Sequence, residues 1–252
     1  MLNHDRSTLV VEEWNLLTNI VHHYDEQNLF LHSTNFLKNQ ITLPPKIRSK
    51  DSHTLKHIQS LFLIIHTFID HCPLFSSLPI DIRKQLIRRN LSVVGGFNGF
   101  FLGKEINIYE NEVHSKYIDN IYGNGYSQSI IQASQRLQQD GSLIKILLLI
   151  LMFSTNSSIV AYDPLNDIEM FVDSRKINRI QNTLVTLLWK YMSYRYGSYE
   201  VVLRFSSLVK SVLDLMTRMD QGAKVEKHWT MVNTVIKQTI CSLDVSNVSV
   251  EN

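Results

Sequence analysis

The sequence predicts an all-α protein of about nine to eleven helices, with one small β-hairpin and a single domain. Only 9 glycines and 5 prolines occur among 252 residues, which is too few for an all-β protein built from many tight turns. Apolar residues recur three and four positions apart through several long segments, as on the buried face of a helix. The predicted domain covers residues 1–252, with a core over about residues 8–240.

The N-terminal segment predicts a helix followed by a loop. Ser7 and Thr8 are candidate N-caps, and Glu12 and Glu13 suit the first turns because acidic side chains are favourable there. The apolar positions at helical spacing are Leu16, Leu17, Ile20, Val21 and Tyr24. The loop that follows is expected to end at the two prolines of LPPKIRSKDS, residues 43–52.

Two prolines indicate a corner between the next two helices. From about Ser52 an apolar stripe continues toward Pro73, where the helix should stop because proline lacks an N–H donor. The stripe consists of Ile58, Leu61, Phe62, Ile65, Phe68 and Ile69. Pro79 suits the first position of a second helix, which should run to about Phe101.

A change of composition between Glu105 and Ile121 predicts the β-hairpin. The segment alternates partly between apolar and polar residues, is punctuated by asparagine and is followed by Gly123 and Gly125. Short strands joined by tight turns have this pattern. Helical patterning resumes near Tyr126.

The C-terminal half predicts long helices. Residues 142–153, SLIKILLLILMF, are apolar on nearly every side, so this helix should be surrounded by other helices. After a loop carrying Pro164, helices are expected over residues 173–196 and from about 199 past 229. The polar, β-branched tail, residues 243–252, should be frayed.

Charge and cysteine content argue against several classes of protein. A formal net charge of +2 is too small to favour nucleic-acid contact by this chain. Cys72 and Cys241 are the only cysteines, which excludes a disulfide framework and a Cys-only zinc site. The longest apolar run, residues 147–153, is far short of the ~20 residues that cross a bilayer, and no signal peptide is apparent. We expect a soluble globular protein without a membrane partner.

Motifs for catalysis and metal binding are missing from the sequence. It contains no Gly-rich phosphate loop, no G-x-S-x-G, no H-E-x-x-H and no C-x-x-C. His53 and His57 share a helix face, but no third metal ligand has a compatible spacing. Cys72 follows His71, yet a nucleophile also needs an oriented base and an oxyanion site. We therefore expect no catalytic residue, no metal site and no cofactor, and the protein is not expected to be an enzyme.

A basic cluster is the strongest polar signal. It consists of Arg83, Lys84, Arg88 and Arg89. The spacing leaves open a solvated helix face or a site for a partner. DNA contact is disfavoured because no other segment adds to the positive charge that phosphate binding requires.

Three segments, in order along the chain, resemble the ligand-binding domain of a nuclear receptor. The first is the corner after the third helix, and its matching residues are Phe68, Pro73, Phe75, Leu78, Leu86, Ile87 and Arg88. The second, LLLILMFS followed by INRIQNTLVTLLWKYM, is similar to the family's eighth and ninth helices, with Gln181 at a position where glutamine is often found. The third, RFSSLVKSVLDL (204–215), is similar to the start of the tenth helix. The resemblance covers roughly residues 8–235.

This resemblance implies a fold and a cellular role. The fold would be a three-layer antiparallel helical sandwich, with the hairpin at one end and an apolar pocket in its lower half. The role would be regulation of transcription in the nucleus, with the cytoplasm as a second compartment. The family's DNA-binding domain needs eight zinc-binding cysteines, which this chain lacks. It stays open whether the chain is a fragment of a longer receptor or a receptor-like protein without a DNA reader.

The resemblance also implies a groove for coregulator helices. Its positions are Asp70, Phe75, Lys84, Ile87 and Arg88. Arg88 matches one charged residue of the family's groove, whereas Asp70 stands where the family has a lysine. Because a charge at each end holds the docked helix, this reversal should weaken or redirect docking. The family's apolar-acidic activation motif is reduced to Leu243 and Asp244.

A ligand pocket is implied between the third and fifth helices. Its positions are Thr54, His57, Ile58, Leu61, Ile65, Gly95, Gly96, Gly99 and Leu102. Three glycines in a buried helix cost roughly 1 kcal/mol each against alanine, and they indicate either close helix crossing or space for a ligand. No arginine lies between Arg89 and Arg136, so the carboxylate anchor of retinoid-type pockets is missing. We expect a neutral, small lipophilic ligand or none.

A dimer face is implied on the tenth helix at Leu208, Val212 and Leu215. Through it the chain would form a homodimer or a heterodimer with another nuclear receptor. The alternative function is a ligand-independent helical adaptor or dimerisation module that kept the fold but lost activation.

Overall fold

The computed structural model of the protein describes residues 9–44, 48, 50–108, 112–135, 137, 140–155 and 174–248, without the side chains of 112–113 and 245–248. Its helices are α1 (Val11–Glu26), α2 (Leu29–Thr42), α3 (Asp51–Asp70), α4 (Pro73–Ser76), α5 (Ile80–Glu105), α6 (Glu112–Tyr122), α7 (Tyr126–Ser134), α8 (Gly141–Met152), α9 (Ser174–Ala223) and α10 (Glu226–Val248). Within these ranges no β-strand occurs. The predicted all-α class is confirmed.

The central corner forms as its prolines predict. Pro73 occupies the first turn of the short helix α4, and Pro79 is the N-cap of α5. Neither position needs a backbone N–H inside the helix, so proline stabilises the corner without losing a hydrogen bond. The long helices α3 and α5 therefore pack against each other across the connection 71–79, which contains the four-residue helix α4.

The predicted loop before the proline pair is wrong, because helix α2 occupies Leu29–Thr42. Its buried positions are Leu29, Ser33 and Gln40. Two of these three are polar, so the apolar periodicity that identifies a surface helix is weak here.

The predicted β-hairpin is also wrong where the structure describes it. Residues Glu112–Tyr122 form α6, and no strand is present on either side of it within the described ranges. Gly123 and Gly125 have φ of 101° and 81°, conformations that glycine adopts without strain. They join α6 to α7, and such a glycine turn looks the same in sequence whether helices or strands flank it.

The C-terminal region is more helical than its composition indicates. A break at Gly197 (φ 80°, ψ 167°) divides α9, close to the predicted boundary between helices. The second part ends at Ala223 instead of continuing past Trp229, and α10 runs on to Val248. Leu243 is buried, so the tail is not frayed over residues 243–248. The predicted caps Ser7 and Thr8 and the Pro164 loop lie outside the described residues.

Helices α5 and α8 form the interior of the molecule. Every residue of α8 from Leu143 to Met152 is buried, as the all-round apolar sequence predicts. Asn90 of α5 donates hydrogen bonds of 2.8 Å to the carbonyls of Met152 and Ser154 at the end of α8. Helix α5 also contacts α3, α7, α9 and α10. The three-layer order of a nuclear receptor domain stays a prediction.

Two long-range polar contacts hold α1 against this interior. The hydroxyl of Tyr24 donates to Asn98 Oδ1 of α5 at 2.6 Å. Lys145 Nζ of α8 lies 2.6 Å from Asp25 Oδ1, with the ammonium also 5.2 Å from the Tyr24 ring centroid. These contacts pair the Tyr24 hydroxyl and the Lys145 ammonium, whereas the buried Asn98 Nδ2 has no partner among the described residues. Among the described helices, none has the length and hydropathy needed to span a bilayer.

Candidate functional site

A cavity lies between α3, α5 and the helices that cover them. Its empty volume is about 1020 Å³, counted out to its mouth at solvent. Helices α2, α3, α5, α6, α7, α9 and α10 all contribute to its wall. Pockets for small molecules are concave and mostly apolar.

The predicted pocket positions converge on this cavity, with one exception. The positions that line it are Thr54, His57, Ile58, Leu61, Gly95, Gly96, Gly99 and Leu102. Ile65 does not line it and is fully buried in the apolar core. Ile65 lies two turns beyond Ile58 on α3, past the end of the cavity. That a ligand binds here stays a prediction.

The three glycines of α5 that were predicted to line the pocket differ in what surrounds them. A Cβ at Gly95 would lie 2.4 Å from the ring of Phe62, and one at Gly96 would lie 2.7 Å from Met219 Sδ. Gly95 allows close packing of α3 against α5, whereas an added Cβ at Gly96 would require the flexible Met219 side chain of α9 to shift. A Cβ at Gly99 would meet no atom within 4 Å, so this glycine leaves open space in the wall of the cavity.

Stacked rings form one side of the cavity. His57 stacks on Phe36 with ring centroids 4.0 Å apart and planes 2° from parallel, and His32 stacks at 5.4 Å. Burial, with the neighbouring His32 and His114, lowers the pKa of His57 to about 3. His57 is therefore neutral near pH 7, as expected for an imidazole deep in an apolar site.

Hydrogen-bonded rings form another part of the wall. His228 Nδ1 lies 2.8 Å from the hydroxyl of Tyr122, and burial lowers the pKa of His228 to about 4. The hydroxyl of Tyr126 donates to the Arg218 carbonyl at 3.0 Å. These tyrosines and His228 join α6, α7, α9 and α10 around the cavity.

Two further polar residues of the wall were not predicted from the sequence. His114 of α6 and Ser33 of α2 both line the cavity and are almost completely buried. His114 was missed because its segment was assigned to a hairpin, and Ser33 because its segment was assigned to a loop. The helical period could have placed His114 on the inward face of α6, whereas in α2 the polar residues Ser33 and Gln40 weaken that period.

The cavity wall has no formal charge. None of the described lining residues is an aspartate, glutamate, lysine or arginine. A bound carboxylate or ammonium would therefore lose its hydration without gaining a counter-charge, which is strongly unfavourable. The charge of the wall agrees with the expectation of a neutral ligand.

The predicted coregulator groove differs from its expected form. Phe75 and Ile87 are fully buried, so neither offers surface to a partner helix, and their assignment to the groove is corrected. Arg88 is exposed. Asp70 Oδ1 lies 3.6 Å from Arg83 Nη1, so the reversed charge is compensated within the chain.

The end of α10 lies against the basic part of α5. Lys84 of α5 forms an ion pair with Asp244 of α10, and the adjacent Leu243 is buried. The remnant of the activation motif therefore packs on the chain itself, beside the basic cluster.

The residues predicted to form the dimer face lie on the buried side of α9, so this prediction is corrected. Leu208 and Leu215 are buried in the core and Val212 is partly buried, so these side chains face inward. The exposed apolar side chains of this part of α9 are Tyr199, Val202, Leu203, Val209 and Leu213. An amphipathic helix carries both kinds of leucine, and spacing alone does not identify which face is buried.

Two other residues that the sequence singles out, Gln181 and Cys72, have a structural explanation. Gln181 donates to the Ile150 carbonyl at 3.2 Å, linking α9 to α8. Burial raises the pKa of the Cys72 thiol, which lowers its reactivity. In the described part of the chain, no three histidine, cysteine or acidic side chains come together as metal ligands.

Comparison with protein-family models gives no match for this chain, and comparison with curated protein sequences gives none either.

Proposed function

We propose that this chain is a ligand-binding domain of the nuclear receptor type, which binds a small neutral lipophilic ligand and regulates transcription in the nucleus through protein contacts. The observation that carries the proposal is the cavity beside α3 and α5. It is enclosed by the positions at which the resemblance to this family expects a pocket. The resemblance and the cavity are independent, because one rests on sequence motifs and the other on packing.

The form of the cavity supports ligand binding over a packing defect. Protein interiors are closely packed, and voids larger than a water molecule are few. The space lies between seven helices, and a cleft between packed helices is a common site for a small organic molecule. Gly99 adds to this space although glycine is costly in a helix, which is expected where a ligand needs room.

Titration with Nile red, a neutral apolar fluorophore, tests this proposal. The wild-type protein should bind the dye with saturable enhancement of fluorescence. Gly99→Leu should reduce the affinity by roughly tenfold or more, because its side chain extends into the open part of the cavity. Thr18→Leu on the exposed face of α1 is the matched control and should bind as the wild type does. A lack of saturable binding, or equal binding by Gly99→Leu, would oppose the proposal.

The ligand-independent adaptor is the second candidate function. The ion pairs Asp70–Arg83 and Lys84–Asp244 favour it, because they engage within the chain two of the charges that would hold a coregulator helix. Labelled LxxLL and corepressor peptides, tested with and without a lipid extract, distinguish the two functions. Binding that depends on the extract supports the receptor-type domain, whereas no binding of either peptide supports the adaptor.

Two charge changes refine that experiment. If the groove is used, Arg88→Glu should abolish peptide binding, because Arg88 is an exposed charge at its end. Asp70→Lys should strengthen coactivator binding only if the loss of the Arg83 pair is tolerated, so its melting temperature must be measured alongside. If both changes leave peptide binding as it is, the basic cluster is a solvated helix face.

A further inference from the structure

Two polar side chains in the cavity wall have no hydrogen-bond partner among the described residues. His114 is 3% exposed, and both its ring nitrogens are shielded from solvent. Ser33 is 1% exposed, and its hydroxyl is likewise shielded and unpaired. A buried polar group without a partner costs about 1–3 kcal/mol, so each such group in a native structure needs an explanation.

Three aromatic side chains of the wall are already hydrogen-bonded. Tyr122 and His228 bond to each other, and Tyr126 bonds to the Arg218 carbonyl. His114 makes an edge-to-face contact with the Tyr117 ring at 5.6 Å, which orients the imidazole but satisfies neither of its nitrogens. Among the described lining residues, His114 and Ser33 are the two whose side-chain polar atoms are shielded from solvent and have no hydrogen-bond partner.

The chemistry of these two groups restricts what they can bind. Burial lowers the pKa of His114, so the ring is neutral, with one N–H donor and one acceptor nitrogen. A serine hydroxyl likewise donates and accepts. A hydroxyl can satisfy either function, and a carbonyl can accept from the imidazole N–H. An ionised carboxylate would meet no cation on this uncharged wall.

We propose that the ligand is a neutral molecule with an apolar skeleton that carries a hydroxyl or carbonyl oxygen, hydrogen-bonded by His114 with Ser33 as a second polar contact. This inference rests on the proposed ligand-binding function and adds the chemical class of the ligand. It assigns to His114 the role of a specificity-determining residue. The apolar wall supplies most of the affinity, and the buried imidazole selects for the oxygen, because a ligand without it leaves the ring unpaired.

Competition against Nile red with two matched compounds tests the inference. Dodecan-1-ol and dodecanoate share one chain length and differ in the polar group, and at about pH 8 the acid is ionised while the histidines are neutral. Wild-type protein should bind the alcohol roughly tenfold or more tightly than the carboxylate. His114→Phe should lose roughly tenfold in affinity for the alcohol, whereas competition by dodecane, which has no oxygen, should change little. His114→Gln, which keeps a donor and an acceptor, should recover part of the loss.

The outcomes separate this inference from the proposed function. If Nile red binds but the carboxylate competes as well as the alcohol, the ligand class is wrong and the proposed function stands. If Nile red binds but His114→Phe binds the alcohol as the wild type does, the role of His114 is wrong. If Nile red does not bind to the wild type, both fail together. Should His114→Phe not fold, as judged by circular dichroism, the alcohol-to-carboxylate ratio of the wild type and the Ser33→Ala variant decide.

Discussion

At the scale of single residues, the buried histidines around the cavity determine how stability depends on pH. His57 has a pKa lowered to about 3 by burial and by the neighbouring His32 and His114, and burial lowers that of His228 to about 4. In the unfolded chain a histidine titrates near 6.5. Below that pH the unfolded state takes up protons that the folded state does not. The free energy of the unfolded state therefore falls relative to that of the native state, and the protein becomes less stable as the pH is lowered.

The His57→Phe variant isolates this contribution. A phenyl ring retains the stack on Phe36 but cannot be protonated. Between pH 7 and pH 5 the free energy of unfolding of the variant should fall by about 1–2 kcal/mol less than that of the wild type. Urea titrations at several pH values measure the difference, and His53→Phe, on the same helix but outside the cavity lining, is the control. Parallel pH profiles for wild type and His57→Phe would contradict this explanation.

At the scale of the element, the glycines of α5 distinguish close packing from open space. Gly95→Ala should lower the free energy of unfolding by about 1–3 kcal/mol, because its methyl group overlaps the Phe62 ring and the core must shift. Gly99→Ala should raise it by up to about 1 kcal/mol, because alanine favours the helix and meets no atom within 4 Å. Urea unfolding of both variants measures the contrast. The same sign of change at both positions would contradict the assignment.

The second half of α9 allows a similar comparison of its two faces. Leu208 is buried and Val209 is 43% exposed. Leu208→Ala should lower the free energy of unfolding by about 2–4 kcal/mol, whereas Val209→Ala should change it by less than about 0.5 kcal/mol. If the chain forms a dimer through this helix, Val209→Glu and Leu213→Glu should weaken it in sedimentation velocity. If Leu208→Ala changed association but not stability, Leu208 would belong to the dimer face, as the sequence predicts.

The elements differ in how well the sequence predicts them, for physical reasons. The stripe of α3, the prolines of the corner and the apolar run of α8 identify their helices, because burial and proline geometry act locally. Helix α2 was missed because Ser33 and Gln40 occupy its buried face. Helix α6 was mistaken for strands because the glycines beside it indicate a turn but not what the turn connects. The spacing of the leucines of α9 does not show which of them are buried, because this depends on how the neighbouring helices pack against α9.

At the scale of the whole molecule, the cavity and the basic surface of α5 are linked through α10. Helix α10 carries His228 in the cavity wall and, near its other end, Asp244 paired with Lys84. A ligand that moved α10 at the cavity would thus change the surface beside the basic cluster. The pocket positions on α3 and α5 followed from the resemblance. The positions of His114 and Ser33 did not, because these residues lie on the two helices that the sequence did not reveal.

The central claim is that the cavity holds a small neutral ligand, and native mass spectrometry after incubation with a total lipid extract tests it most directly. The account predicts that the wild-type protein retains a bound small molecule and that Gly99→Leu, which fills the open space beside α5, retains much less. Thr18→Leu should retain as much as the wild type. A wild-type spectrum that shows only the bare chain, or equal retention by Gly99→Leu, would contradict the account.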